Sequence, residues 1–310
     1  MTPDNYEEVW SEVAVRTRGR FEPQGGALFW SSPAKVTATL GTGIDVVVDH
    51  RPARPRGSAS ATTQVRADAR GSAELRVRLV RRGVFARVRT TLGLRHVELG
   101  HDAFDTAFLV RANDHELARA WLSARVRAAI LACGPDYRLS LRRGIVRAER
   151  GGFETDPDCL LAAMHAVAML AVGGDELLDR WRALADELGG SLVAADHFAA
   201  GQVRIDLERD GHHVAVATQP GPEVATQVRR ELGRRDAPDF ELAPAAPWTG
   251  AGPGAQAAAD AWQAIQPARL RCDGEAVVIS WPGILADATR VKRALALVTA
   301  VSIGAELPYR

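Results

Sequence analysis

The apolar residues Tyr6, Val9, Trp10 and Val13 fall on one face of a helix, with Pro3 placed to suit a first helical turn. The same spacing returns at Leu177, Leu178, Trp181, Leu184, Ala185 and Leu188, and Gly189-Gly190 ends it. Trp10 and Trp181 hold corresponding places and are expected to anchor their helices in a core. Period-two alternation follows each helix. Lys35–Leu40 and Ile44–Val48 flank a Gly-Thr-Gly turn, and Val203–Leu207 and His213–Val216 flank Arg-Asp-Gly, so both pairs read as β-hairpins. A further strand then carries Thr63-Gln64-Val65-Arg66 in one half and Thr226-Gln227-Val228-Arg229 in the other.

The halves diverge after this repeated tetrapeptide. Strands are predicted over Glu74–Val80 and Phe85–Thr91 in the first half, but only over Phe240–Leu242 in the second. A helix from Asp114 to about Ala132, with a break near Ser123, answers to one over Ala255–Ile265. Both halves then finish with a hairpin and an almost wholly apolar helix, Pro157–Leu170 and Leu285–Ile303, expected to be buried near the junction of the halves. Runs of strands without strict alternation with helices indicate an α+β layer fold. The chain is therefore read as two tandem related α+β units, 1–173 and 174–310. Each has the order helix, antiparallel strands, helix, β-hairpin, helix, and the two are expected in a pseudo-twofold arrangement.

The segment Leu99–Asp114, with Phe104, Asp105, Phe108, Val110 and Asp114, resembles a recurrent bacterial domain family of unknown function. Its members carry G-D-x-x-F-D-x-x-F-x-V-x-x-x-D followed by a helix. His101 stands where the family pattern has Asp, and the second half lacks the signature. The resemblance covers most of residues 1–173 and implies an α+β fold with no catalytic residues to carry over. Read from the residues alone, Phe104 and Phe108 fit one helical turn that buries both rings, and Asp105 or Asp114 suits the start of a turn or helix.

Composition adds one local feature. The formal net charge is only +1, and 46% of residues are hydrophobic, as in a folded soluble protein. Yet Arg51–Arg95 holds twelve arginines against Asp68 and Glu74, a local charge of +10 (12 − 2). In Leu75-Arg76-Val77-Arg78-Leu79 the arginines alternate with apolar residues, so Arg76 and Arg78 share one sheet face while the aliphatics enter the core. Arg87 and Arg89 repeat the pattern, making Arg76, Arg78, Arg87 and Arg89 candidates for binding an anion or a partner.

No other constellation reaches a recognisable site. Cys133, Cys159 and Cys272 are odd in number and lack C-x-x-C spacing, which fits a reducing cytoplasm better than a disulfide framework. The histidines have no HExxH-type spacing, no GxSxG occurs, and the Gly250–Gly254 loop lacks the Lys-Ser/Thr of a P-loop. The acidic start of the chain does not read as a signal peptide, and no apolar run reaches bilayer length. The expectation is a cytoplasmic, non-enzymatic binding or assembly module with a protein partner, without membrane insertion, cofactor or metal. Nucleic-acid or polyanion binding through the arginine face is the second reading, and an enzyme assembled from separate segments the third.

Overall fold

The computed structural model describes residues 5–25, 33–51, 61–82, 95–221, 224–232, 240–248, 255–273, 275–284 and 287–306. The chain is α+β and divides into two compact units, Met1–Glu176 and Leu177–Arg310. The division falls inside a helix, slightly beyond the 173/174 boundary expected from sequence.

The first unit opens with α1 (Tyr6–Thr17) and a meander of β1 (Arg20–Glu22), β2 (Lys35–Thr39), β3 (Asp45–Arg51) and β4 (Thr62–Asp68). Then come β5 (Val77–Arg81), β6 (Arg95–Val97), α2 (Asp102–Ala107), β7 (Phe108–Ala112), α3 (His115–Trp121) and α4 (Ala124–Cys133). The hairpin β8 (Arg138–Arg142) and β9 (Ile145–Gly151) and the helix α5 (Pro157–Ala171) close it. Its antiparallel sheet runs β1-β2-β3-β4-β9-β8-β5-β7-β6. Alternation puts Val36, Val46, Val48, Val65, Leu79, Leu139, Val146 and Ala148 at 0% exposure on one face, against which α1 and α5 pack.

The apolar circumference of α5 is used within its own unit. The helix packs on β3, β4 and β9 on one side and against α1 and α4 on the other, which accounts for its burial without the predicted junction. The break predicted near Ser123 is present: Ser123 caps α4, its hydroxyl accepting from Val126 N–H at 3.3 Å.

Helix α6 (Gly173–Leu188) carries the chain across the division. The second unit continues with β10 (Ser191–Val193), β11 (Arg204–Arg209), β12 (His212–Gln219), β13 (Ala225–Glu231), β14 (Phe240–Leu242) and α7 (Ala255–Ala264). The hairpin β15 (Arg269–Cys272) and β16 (Ala276–Pro282) and the helix α8 (Ala288–Glu306) end it. Its order, β10-β11-β12-β13-β16-β15-β14, repeats β1-β2-β3-β4-β9-β8-β5.

Individual bonds repeat as well. The Thr63 hydroxyl donates to Gly152 O (2.9 Å) and the Thr226 hydroxyl to Gly283 O (2.6 Å), tying each central strand to the end of its hairpin. Asp156 and Asp287, each four residues after that glycine, cap α5 and α8 by accepting from the N–H groups two and three residues on. Helix α1 ends with Gly19 N–H on Ala14 O and α6 with Gly190 N–H on Ala185 O. A Cβ on Gly19 would stand 2.5 Å from Thr37 O, and one on Gly190 would stand 2.9 Å from Asp206 O. Both positions therefore require glycine for close approach of helix to sheet. Trp10 and Trp181, nine residues before these glycines, are each 0% exposed.

Candidate binding face on the first sheet

The face of the first sheet that carries the core leaves the opposite face to the polar members of each strand. Arg76 and Arg78 are exposed there, while Leu75, Val77 and Leu79 are at most 2% exposed, as the alternation predicts. Arg87 and Arg89 lie outside the described residues.

Sheet order enlarges the face well beyond β5. Register places Arg111, Arg78, Ser140, Arg147 and Arg66 in one row across β7, β5, β8, β9 and β4. At about 4.8 Å per strand the row is about 19 Å long. Arg142, which β8 carries on the side of Arg76, and Arg138, which pairs with Glu149, flank it. Sequence reasoning missed Arg66, Arg111, Arg138, Arg142 and Arg147. The signal for β8 was present in Arg138-Leu-Ser-Leu-Arg142, which has the same alternation as the β5 segment.

Little negative charge answers this row. Arg66 pairs with Asp49 at 3.2 Å. Among the described residues, Arg76, Arg78, Arg138, Arg142 and Arg147 enter no salt bridge, and Arg147 Nε is buried without a hydrogen-bond partner. The equivalent row of the second sheet reads Asp206, Ala215, Arg229, Val278, Arg271 and Glu241, two acids balancing two arginines. The basic row thus belongs to the first unit, although seven strands of the two sheets follow a matching order.

The buried polar groups of the first unit do different work. Glu154 is 1% exposed; its Oε2 accepts from Tyr137 (2.9 Å) and Arg150, and its Oε1 from the N–H groups of Thr155 and Asp156 (3.1 Å each). Its own N–H donates to Thr63 Oγ1 (2.9 Å), and its carbonyl accepts from Trp10 Nε1 (3.2 Å). The carboxylate thus ties Tyr137 and Arg150 of β9 to the start of α5, the Glu154 backbone adds α1 and β4, and with both oxygens engaged no free base is presented. Burial raises the Tyr137 hydroxyl well above its ordinary range, with the adjacent Glu154 charge adding to the shift.

The thiols are likewise unsuited to nucleophilic chemistry. Burial pushes Cys133 up to about 12. Cys159 is raised by desolvation and by its hydrogen bond to Asp156 (3.3 Å). Cys133 and Cys272, both buried thiols outside any disulfide, are expected to resist a thiol reagent such as DTNB at pH 8 in the folded protein and to react in denaturant. Rapid native labelling of either would contradict this placement.

The Leu99–Asp114 segment is structural. Phe104 and Phe108 are at most 2% exposed, with ring centroids 5.3 Å apart. His101 caps α2 through Nδ1, accepting from Phe104 N–H at 3.3 Å, while Asp105 accepts from Leu99 and His101 N–H. Asp114 caps α3 by accepting from Leu117 N–H at 2.9 Å. The Gly250–Gly254 loop lies outside the described residues. Among the described residues no cluster of His, Cys, Asp and Glu is arranged to hold a metal, and no single helix is long and apolar enough to cross a membrane.

No protein-family model and no curated protein matches the chain. Among solved structures, the crystal structure of the mycobacterial trehalose monomycolate transport factor A, TtfA, aligns at 9% identity over 55% of this chain and 94% of that one. Its TM-score of 0.39 is too low for an argument about either fold or function.

Proposed function

We propose that the protein is a non-enzymatic, cytoplasmic binding or assembly module. In this reading its two units descend from one duplicated layer, and the outer face of the first sheet docks an acidic protein surface. The observation that carries it is the contrast between equivalent rows: the first sheet sets Arg78, Arg147 and Arg66 in one row, of which Arg66 pairs with Asp49 and Arg78 and Arg147 enter no salt bridge among the described residues, whereas the row of the second sheet holds two acids and two arginines. Arginines held on adjacent strands are pre-organised to meet carboxylates with little loss of freedom. Three cysteines outside any disulfide suit a reducing compartment.

Nucleic acid is the second reading, since the same row attracts phosphates. Two features favour protein over it. The described outer positions of β4 to β9 contain no Phe, Tyr or Trp on which a base would stack, and the sequence pI is about 7.9, below that of a typical nucleic-acid-binding domain.

The test is charge reversal in paired positions. The R76E/R78E/R138E/R142E variant is expected to lose the protein retained by the wild type from its native lysate. R204E/R269E/R271E, a comparable change on the second sheet, is expected to keep it. Equal retention by both variants would contradict the assignment of the face.

A further inference from the structure

The two sheets end differently. β14 stands at the edge of the second sheet, paired with β15 on one side and with no described strand on the other. Register identifies its counterpart in the first sheet. Ala67 and Arg230, each one residue after the repeated tetrapeptide, pair with Val146 and Val277. These pair with Leu141 and Cys272, which in turn pair with Val77 and Phe240. Phe240, Glu241 and Leu242 therefore match Val77, Arg78 and Leu79 of β5. In the first sheet the ladder continues past this point: β7 lies antiparallel on the far side of β5, with Ala112, Arg111 and Val110 opposite those three residues.

Chain length accounts for the difference. Residues 82–123 separate β5 from α4 and supply β6, α2, β7 and α3. Only residues 243–254 separate β14 from α7, and their described part, 243–248, contains no strand. Side-chain burial follows the missing neighbour. Val77 and Leu79, flanked by β7, are 2% and 0% exposed, whereas Phe240 and Leu242, which point to the helix-bearing side of their own sheet, are only half-buried. A sheet edge presents unpaired N–H and C=O groups, and partly covered apolar side chains beside it offer places for alternate residues of an incoming strand. Three-residue pairing suffices in this fold, since β6 joins β7, β1 joins β2 and β10 joins β11 through three residues each.

We propose that β14 accepts an extended segment of a partner protein as an eighth, antiparallel strand of the second sheet, in the register that β7 takes on β5. The segment places apolar residues opposite Phe240 and Leu242, as Ala112 and Val110 stand opposite Val77 and Leu79. The residue between them faces the other side of the sheet and is polar but not acidic, because it lies directly opposite Glu241. The same contact argues against a second copy as the occupant. Twofold pairing of all three residues of β14 would set Glu241 opposite Glu241, two like charges across one rung. The edge shares no residue with the basic face of the first sheet, and its failure would leave that reading untouched.

The experiment is a ¹H–¹⁵N NMR titration of the full chain with the acetylated and amidated peptide Thr-Val-Thr-Val-Thr. Saturable shifts are expected at the amides of Phe240, Glu241 and Leu242. Alternate residues of a strand direct their N–H groups to opposite sides, so two further peptides, one N-methylated at the central threonine and the other at both valines, separate strand pairing from general adhesion. One of the two is expected to bind about tenfold or more weakly and the other like the parent. Glutamate at the central position is expected to weaken binding about threefold. Leu242→Asp, which removes an apolar contact at the edge, is expected to weaken the parent peptide about tenfold. Absence of saturable shifts at β14 would overturn the proposal, as would equal binding of the two N-methylated peptides, a central glutamate that binds like threonine, or a folded Leu242→Asp protein that responds like the wild type.

Discussion

Replacing Glu154 by leucine is expected to lower the unfolding free energy by about 3–5 kcal/mol, the range for removing one partner of a buried charged pair. The side chain is 1% exposed and accepts from Tyr137, Arg150 and two backbone N–H groups. Leucine accepts none of these. The Arg150 guanidinium retains an escape to water, being about a third exposed, so most of the loss comes from the Tyr137 hydroxyl and the two amides left dry. Glu154→Gln should fall between wild type and Glu154→Leu, because one carbonyl oxygen remains while its NH₂ opposes the donors. Urea titration of the three proteins checks the order. A Glu154→Leu midpoint equal to that of the wild type would show that the bonds to this carboxylate contribute nothing to stability.

Truncation of either helix anchor is the second large effect. Trp10→Ala and Trp181→Ala each remove a ring at 0% exposure and are expected to cost about 3–5 kcal/mol. The two tryptophans differ at one atom: Trp10 Nε1 donates to Glu154 O at 3.2 Å, whereas Trp181 Nε1 is buried without a partner. Phenylalanine should therefore separate them. Trp10→Phe leaves a buried carbonyl unsatisfied and is expected to cost about 1 kcal/mol more than Trp181→Phe, which discards an N–H that had no bond to lose. Denaturation midpoints for the four variants give the comparison, and an equal cost for the two phenylalanine variants would remove the distinction.

Most of the architecture was legible because it is local. Helical spacing marked Trp10 and Trp181 and the glycines that follow, and period-two alternation marked Arg76 and Arg78 as outward. The repeated tetrapeptide marked β4 and β13, each the fourth strand from one edge of its sheet. The extent of the basic face was not legible, since it depends on β9 and β8 entering between β4 and β5, a long-range pairing that brings Arg66, Arg147 and Arg78 into one row. Glu154 gave no sign either. In sequence it is an acidic residue between a strand and a helix, and only folding surrounds it with donors. Arg230 is intermediate: adjacent residues of a strand face opposite ways, so of Arg229 and Arg230 one must enter the core, although the pattern alone does not say which.

The central claim, that the outer face of the first sheet binds acidic protein surfaces, is tested most directly by fluorescence anisotropy with a labelled glutamate-rich peptide over a range of salt concentrations. A labelled single-stranded oligonucleotide at the same charge serves as comparison. The account predicts saturable, salt-sensitive peptide binding that is stronger than oligonucleotide binding and that weakens about a hundredfold or more in the R76E/R78E/R138E/R142E protein. Peptide affinity that is the same in the wild type and the reversed protein would contradict it.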